Sequence, residues 1–196
     1  MTTFLLIRHG VTAITGSVIT GRLPGYPLTP QGQSQAEALA DRLATMPINA
    51  IYSSPLERTL ETAAPAAASL GLAVQPNWAF AEFDFGQWSG VLIEELQQRE
   101  DWKLFCAFRS GRRAPGGELI TETQTRMVDA LTDLAGRHPG ETVAVFSHAD
   151  AIKAALLNYL PAPLDHIQRI EIHPTSISVV RLDPTGPVIA GMNLSE

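Results

Sequence analysis

The chain has 196 residues, 45% of them hydrophobic, and a formal net charge of −6, so it can bury a full core as one domain without staples, and it lacks the basic surface that a nucleic-acid partner requires. Its one cysteine, Cys106, cannot close an internal disulfide, and the first residues carry neither the basic stretch nor the long apolar run of a signal peptide. No apolar segment approaches the roughly 20 residues that span a bilayer, so the expectation is a soluble, cytoplasmic protein with no membrane partner.

The first element is the apolar run Phe4-Leu5-Leu6-Ile7, which ends abruptly in Arg8-His9-Gly10. Such a run reads as a buried strand whose last residues emerge at the carboxyl edge of a sheet, where open α/β folds build their sites. Arginine binds anions bidentately, imidazole serves as base, ligand or nucleophile near neutral pH, and glycine lets the backbone approach a ligand closely. Together these residue types point to covalent chemistry on a phosphate. Residues 11–30, rich in Gly, Thr and Pro, read as a long loop of the kind that often carries function. Residues 31–46 have helical spacing, with Ala36, Leu39, Ala40 and Leu43 on one face, and Pro47 stops them.

A short strand, residues 48–52, runs into Ser53-Ser54-Pro55-Leu56-Glu57. This predicts a helix starting at Pro55, with Ser54 as cap and Glu57 completing a capping box. Arg58 then falls in the first turn, beside backbone N–H groups that already favour an anion. Between residues 78 and 108 lie all three tryptophans and five of the seven phenylalanines, which reads as a lid over the sheet edge. After Pro115-Gly116-Gly117, residues 118–138 look helical, with Met127, Leu131 and Leu134 on one face. Residues 142–146 form a further strand that ends in Ser147-His148, a helix spans 151–160, and residues 169–172 and 176–182 read as two more strands.

Alternating strands and helices of these lengths predict a three-layer α/β/α sandwich with a mainly parallel central sheet. One domain is expected over residues 1–196, with 78–117 as a lid or insert. Right-handed crossovers would bring Arg8, His9, Arg58 and His148 to one rim of that sheet.

Six segments in order then carry a specific resemblance: Leu6-Ile7-Arg8-His9-Gly10; Leu28-Thr29-x-x-Gly32 with Ala36; Ser53-Ser54-Pro55-Leu56-x-Arg58-Thr59-x-x-Thr62-Ala63; Glu82-Phe83-Asp84-Phe85-Gly86-x-Trp88-x-Gly90; Gly117-Glu118; and Ser147-His148. On these the chain resembles the histidine phosphatase superfamily, which includes the phosphoglycerate mutases. The resemblance implies that His9 is the nucleophile that carries a phosphohistidine, that Arg8, Arg58 and His148 hold the phosphoryl oxygens, and that Glu82 is the proton donor. Asp84, two residues on, is the competing carboxylate. Thr12 and Thr15 stand where the family places small polar phosphate contacts, and Gly21, Arg22 and Ala149 complete the expected substrate-binding set. A nucleophilic imidazole must be neutral with one nitrogen held by an acceptor, and two arginines favour the neutral form.

Val11 departs from the family's usual acidic or amide residue, and Ala149-Asp150 replaces the glycines often seen after the second histidine. The glycolytic mutases carry extra segments that enclose a bisphosphate, and this chain has too little length for them, which favours a phosphatase. The expected partner is a small phosphorylated metabolite, with phosphosugars, phosphoglycerates and ribazole phosphate all open, as is a homodimer. A mutase and a non-catalytic phosphate-binding module are the competing functions. Cys106 and Arg112 have the Cys-x5-Arg spacing of cysteine-dependent phosphatases, but the residues before Cys106 look helical, whereas that chemistry needs a loop after a strand. Arg109, Arg112 and Arg113 read as a solvated basic turn, or else as contacts to a second acidic group on the substrate. His138, His166 and His173 lack metal-ligand spacing, so neither a metal nor another cofactor is expected.

Overall fold

Four consecutive residues of the first strand, Phe4 to Ile7, are apolar, so β1 (Thr2–Arg8) must be covered on both faces, and the computed structural model, which describes residues 1–160 and 162–195, shows both covers. Phe4 and Leu6 join Tyr52, Val143 and Val145 under Met127, Leu131, Ile152 and Leu156. Leu5 and Ile7 join Ile51, Ala144 and Phe146 under Leu39, Leu43, Ala63 and Ala66. The upper helices are α5 (Ile120–Arg137) and α6 (Ala149–Tyr159), and the lower pair is α1 (Pro30–Ala44) and α2 (Glu57–Leu70). The result is a three-layer α/β/α sandwich.

The remaining strands are β2 (Ile48–Ser53), β3 (Val74–Pro76), β4 (Thr142–Ser147), β5 (Ile177–Asp183) and β6 (Gly186–Leu194). Their order is β3-β2-β4-β1-β5-β6. The first four run parallel, whereas β5 is antiparallel to β1 and to β6. Register aligns Arg8 with Ser147, and Ser53 with Phe146, so the carboxyl ends of β1, β4 and β2 finish level. That level edge brings the residues that follow these strands to one rim.

Several expectations need correction. Residues 169–172 form no strand: 164–169 make a 3₁₀ turn, and the Ile172 carbonyl accepts a hydrogen bond from Arg8 Nη1 at 2.6 Å instead of joining a ladder. The last strand is β6, hard to see in sequence because glycines and a proline interrupt its apolar residues. The helix expected from Pro55 starts at Glu57 with Leu56 as N-cap and no side-chain cap. Ser54 turns its hydroxyl toward His148, and Glu57 accepts from the backbone N–H groups of Gly25 and Tyr26, so neither is free to form the box. At α1 the sequence does supply a cap, because Thr29 Oγ1 accepts from Gly32 N at 3.1 Å.

Residues 78–117 hold two short helices, α3 (Ile93–Gln98) and α4 (Glu100–Ala107). Phe83, Phe85, Trp88, Trp102 and Phe105 gather there into an aromatic cluster that packs on Ile120, Ala154 and Leu157 of α5 and α6. Trp78 and Phe108 stay outside it, 64% and 52% exposed. Among the described residues, no helix is long and apolar enough to cross a membrane.

Candidate active site

His9 leaves β1 with its backbone still tied to β4, its N–H donating to the Ser147 carbonyl at 3.1 Å. Its Nδ1 lies 2.8 Å from the Gly10 carbonyl, an acceptor only, so the ring proton sits on Nδ1 and Nε2 keeps its lone pair. Thr62 of α2 fixes the same turn by accepting from Gly10 N at 3.0 Å. The imidazole is 7% exposed, and burial, then Arg58 and Arg8, push its pKa down to about 3. It is neutral at physiological pH, as a nucleophile requires.

Arg8 and Arg58 are each anchored by one terminal nitrogen. Arg8 Nη1 donates to Ile172 O, and Arg58 Nη2 donates to Gly21 O at 2.7 Å. Gly21 adopts a φ of 50°, a left-handed conformation that glycine reaches without strain and that turns its carbonyl to the guanidinium. The Nε atoms of both arginines are buried without a hydrogen-bond partner among the described residues, and so is His148 Nδ1. Buried polar atoms of this kind are normally satisfied, so two arginine Nε–H donors and an imidazole nitrogen left unpartnered around His9 mark a place for an anion. His148 stands edge-on to His9, with ring centroids 5.2 Å apart. Burial, then Arg58 and His9, hold it well below the ordinary histidine range, and its Nε2 meets Ser54 Oγ at 2.8 Å.

Glu82 completes the group. Its Oε1 accepts from the backbone N–H groups of Phe83 at 2.9 Å and Ala151 at 3.2 Å. Burial, then the neighbouring Asp150, raise its pKa, and these two N–H groups and Arg58 offset only part of that. Its backbone is held by Arg126, whose Nη1 donates to Ala79 O and Ala81 O at 2.7 Å each, and whose Nη2 donates to Glu82 O at 3.0 Å. Glu118 pairs with Arg126 and accepts from Asp84 N, while Glu118 N donates to Asp84 O. Gly117 makes that strap feasible, because a Cβ there would lie 2.1 Å from the Asp84 carbonyl oxygen.

A cavity of about 190 Å³ is lined by Arg8, His9, Thr12, Thr15, Gly21, Glu82 and Ala149, together with Asp150. Arg58 and His148 are buried and do not line it. Two expected residues stand elsewhere. Arg22 does not line the cavity: its guanidinium pairs with Glu118 and donates to the Glu82 backbone carbonyl at 2.9 Å, which braces the backbone that carries the carboxylate. Asp84, the competing carboxylate, is also outside, its Oδ1 accepting from Gly86 N in a local turn. Thr12 and Thr15 bond to each other, their hydroxyl oxygens 3.0 Å apart.

A second cleft of about 650 Å³ shares Ile19, Phe85, Ile93 and Asp150 with the first, and adds Arg109, Lys153 and Lys103. Arg109 is not part of a solvated turn. It is 3% exposed, stacked over Phe105, Phe83 and Phe85, and donates to Asp150 at 2.7 Å. Arg113 pairs with exposed Glu122. Cys106 lies within helix α4, with its thiol pKa raised by burial, so no loop wraps an anion around it. Among the described residues, no group of three or more His, Cys, Asp or Glu side chains is placed to hold a metal ion. Sequence reasoning passes over Arg126 and places Ser54, Thr62 and Arg109 without these contacts. Ser54 and Thr62 carry a signal in the segment that runs from Ser53 to Ala63, and Asp150 carries one in its position just after the second histidine.

The histidine phosphatase superfamily (branch 1) has a sequence profile that matches residues 4–195. The chain belongs to that superfamily. This histidine phosphatase is 30% identical to phosphoserine phosphatase 1 of Hydrogenobacter thermophilus, over 100% of the chain and 93% of that relative. It is 31% identical to phosphoglycerate mutase-like protein 4 of Arabidopsis thaliana, over 91% of the chain and 78% of the relative. Among solved structures, YhfR of Bacillus stearothermophilus matches with a TM-score of 0.92 at 27% identity, covering 99% and 98% of the two chains. A phosphoserine phosphatase mutant from Entamoeba histolytica, in complex with phosphoserine, matches with a TM-score of 0.90 at 28% identity, covering 100% and 98%.

Proposed function

We propose that this histidine phosphatase, a phosphoric monoester hydrolase, cleaves small phosphorylated metabolites in two half-reactions centred on His9. In the first, His9 Nε2 attacks phosphorus, the bond from phosphorus to the ester oxygen breaks, and the proton of Glu82 passes to that oxygen. Phosphohistidine remains, and the free alcohol leaves. In the second, Glu82 as carboxylate takes a proton from water, the hydroxide attacks phosphorus, and orthophosphate departs from a restored neutral His9. Arg8, Arg58 and His148 donate to the phosphoryl oxygens, where charge is spread in the transition state. The observation that carries this reading is the neutral His9 ring, with Nε2 free beside two arginines whose Nε groups have no partner among the described residues.

The leaving group then occupies the 650 Å³ cleft, with residues 78–117 as its lid. A polar group suits the Lys103, Lys153 and Asp150 side chains there, and phosphoserine, the ligand of the similar Entamoeba histolytica enzyme, is the first substrate to try. Exposed Gln97 and Lys103 on the cleft wall leave it open to water, which favours hydrolysis over retention of a bisphosphate by a mutase. A cytoplasmic location fits the lone, unpaired Cys106.

The test is single-turnover labelling. Wild type should release phosphate from an aryl phosphate and trap acid-labile, alkali-stable label, and His9→Ala should do neither. Unchanged turnover by His9→Ala would reject the mechanism, and transfer to phosphoglycerate on adding a bisphosphate primer would favour a mutase.

A further inference from the structure

We infer that Ser54 is a positioning residue that selects the ring tautomer of His148 and so turns that histidine into a neutral N–H donor for the phosphoryl group. The catalytic consequence rests on the phosphoryl chemistry proposed above; the tautomer assignment needs only the hydrogen-bond geometry of a fully buried, neutral ring.

Ser54 and His148 are both fully buried, and Ser54 Oγ lies 2.8 Å from His148 Nε2. The other neighbour of that hydroxyl is the Leu56 N–H at 3.4 Å, which can only donate. Among the described residues the Ser54 proton therefore has one acceptor in reach, His148 Nε2. A neutral imidazole carries one N–H, so an accepting Nε2 places it on Nδ1. The reverse arrangement, Nε2–H donating to Ser54, would leave the serine proton without an acceptor and Nδ1 without a donor, two unsatisfied groups in a dry interior.

The consequence falls on the phosphate pocket. His148 Nδ1 is buried without a hydrogen-bond partner among the described residues, the ring is edge-on to His9 at 5.2 Å, and its basicity is depressed, so it stays neutral. With the proton on Nδ1 the free nitrogen meets a phosphoryl oxygen as a donor; with the proton on Nε2 it would set a lone pair against an anion. Ser54 is rigid enough to enforce the choice. Its N–H donates to Phe146 O at 2.9 Å, tying it to β4, and its carbonyl accepts from Thr59 Oγ1 at 2.9 Å.

Imidazole ¹⁵N NMR on the full chain reads the tautomer directly, with His148→Ala supplying the assignment. Wild type should show Nδ1 protonated and Nε2 bare, and Ser54→Ala should lose that signature. Ser54→Ala should lower kcat on an aryl phosphate and weaken orthovanadate binding by about 10- to 100-fold with little change in KM, and Ser54→Thr should restore part of both. In a His148→Ala background, Ser54→Ala should cost nothing further, since its effect runs through the ring. A wild-type Nε2–H signature, or the same fold loss with and without His148, overturns the inference. If Ser54→Thr does not fold, the spectrum and the double-mutant cycle on Ser54→Ala still decide. A wild type that shows Nδ1–H yet cleaves no phosphomonoester rejects the phosphatase reading and leaves the tautomer assignment intact.

Discussion

Asp150 accepts a hydrogen bond from Arg109 at 2.7 Å, and its carboxylate lines both the cavity around His9 and the larger cleft beside it. The N–H of the next residue, Ala151, donates to Glu82. One turn of α6 thus joins the larger cleft to Glu82.

The first prediction concerns that coupling. Asp150 is, after burial, the largest influence raising the Glu82 pKa. Asp150→Asn removes the negative charge and frees the positive charge of Arg109, and both changes lower it. The proposed first step needs protonated Glu82, so the alkaline limb of kcat/KM should move to lower pH. A pH profile on an aryl phosphate checks this, and an unmoved limb would remove Asp150 from the account.

Arg109→Met should destabilise the fold by about 2–4 kcal/mol, because it leaves the half-buried Asp150 carboxylate without its partner and deletes the buried guanidinium stacked on three phenylalanines. The urea midpoint should fall with an unchanged m-value. Adding Asp150→Asn should recover part of the loss, since the stranded charge is then gone.

Arg126 spans three carbonyls with one planar fork, which a lysine ammonium cannot reproduce. Arg126→Lys should leave the phosphate grip intact and loosen the backbone that carries Glu82. The expected outcome is a fall in kcat of about tenfold with KM nearly constant. A larger change in KM than in kcat would contradict that division.

Acid should weaken the fold through the two buried histidines. In the unfolded chain each titrates near about 6.5. Folded, His9 titrates at about 3 and His148 well below its ordinary range. The unfolded state therefore binds more protons below that unfolded value. The histidine contribution to stability is intact above it and is lost as pH falls toward the folded pKa, at roughly 1.4 kcal/mol per unit for each ring. Denaturation curves at pH 7 and pH 5 should show His9→Asn less acid-sensitive than wild type.

Arg8 and His9 are legible in the sequence because an apolar strand that stops at a cation and an imidazole is delivering them to an edge rather than to a core. Arg58 and His148 follow from the same logic at the ends of β2 and β4. Ser54 is ambiguous, because a hydroxyl before a helix suits a cap as well as a distant ring, and local sequence does not say which ring is near. Arg109 resembles a surface cation since nothing in its neighbours announces the three phenylalanines beneath it. Arg126 lies on a helix whose apolar face is plain in the sequence, while its reach to three carbonyls of another segment is a purely tertiary fact. Strand β6 is an edge with alternating exposure and interrupted hydrophobicity, so its periodicity is faint.

The β5–β6 hairpin places two strands outside β1, and β4, β2 and β3 place three on the other side. Fraying in a sheet begins at its margins, so amide protons of β1 should be among the slowest in the molecule to exchange with solvent. His9 thus hangs from one of the two central strands, β1 and β4, where opening to solvent should be rarest.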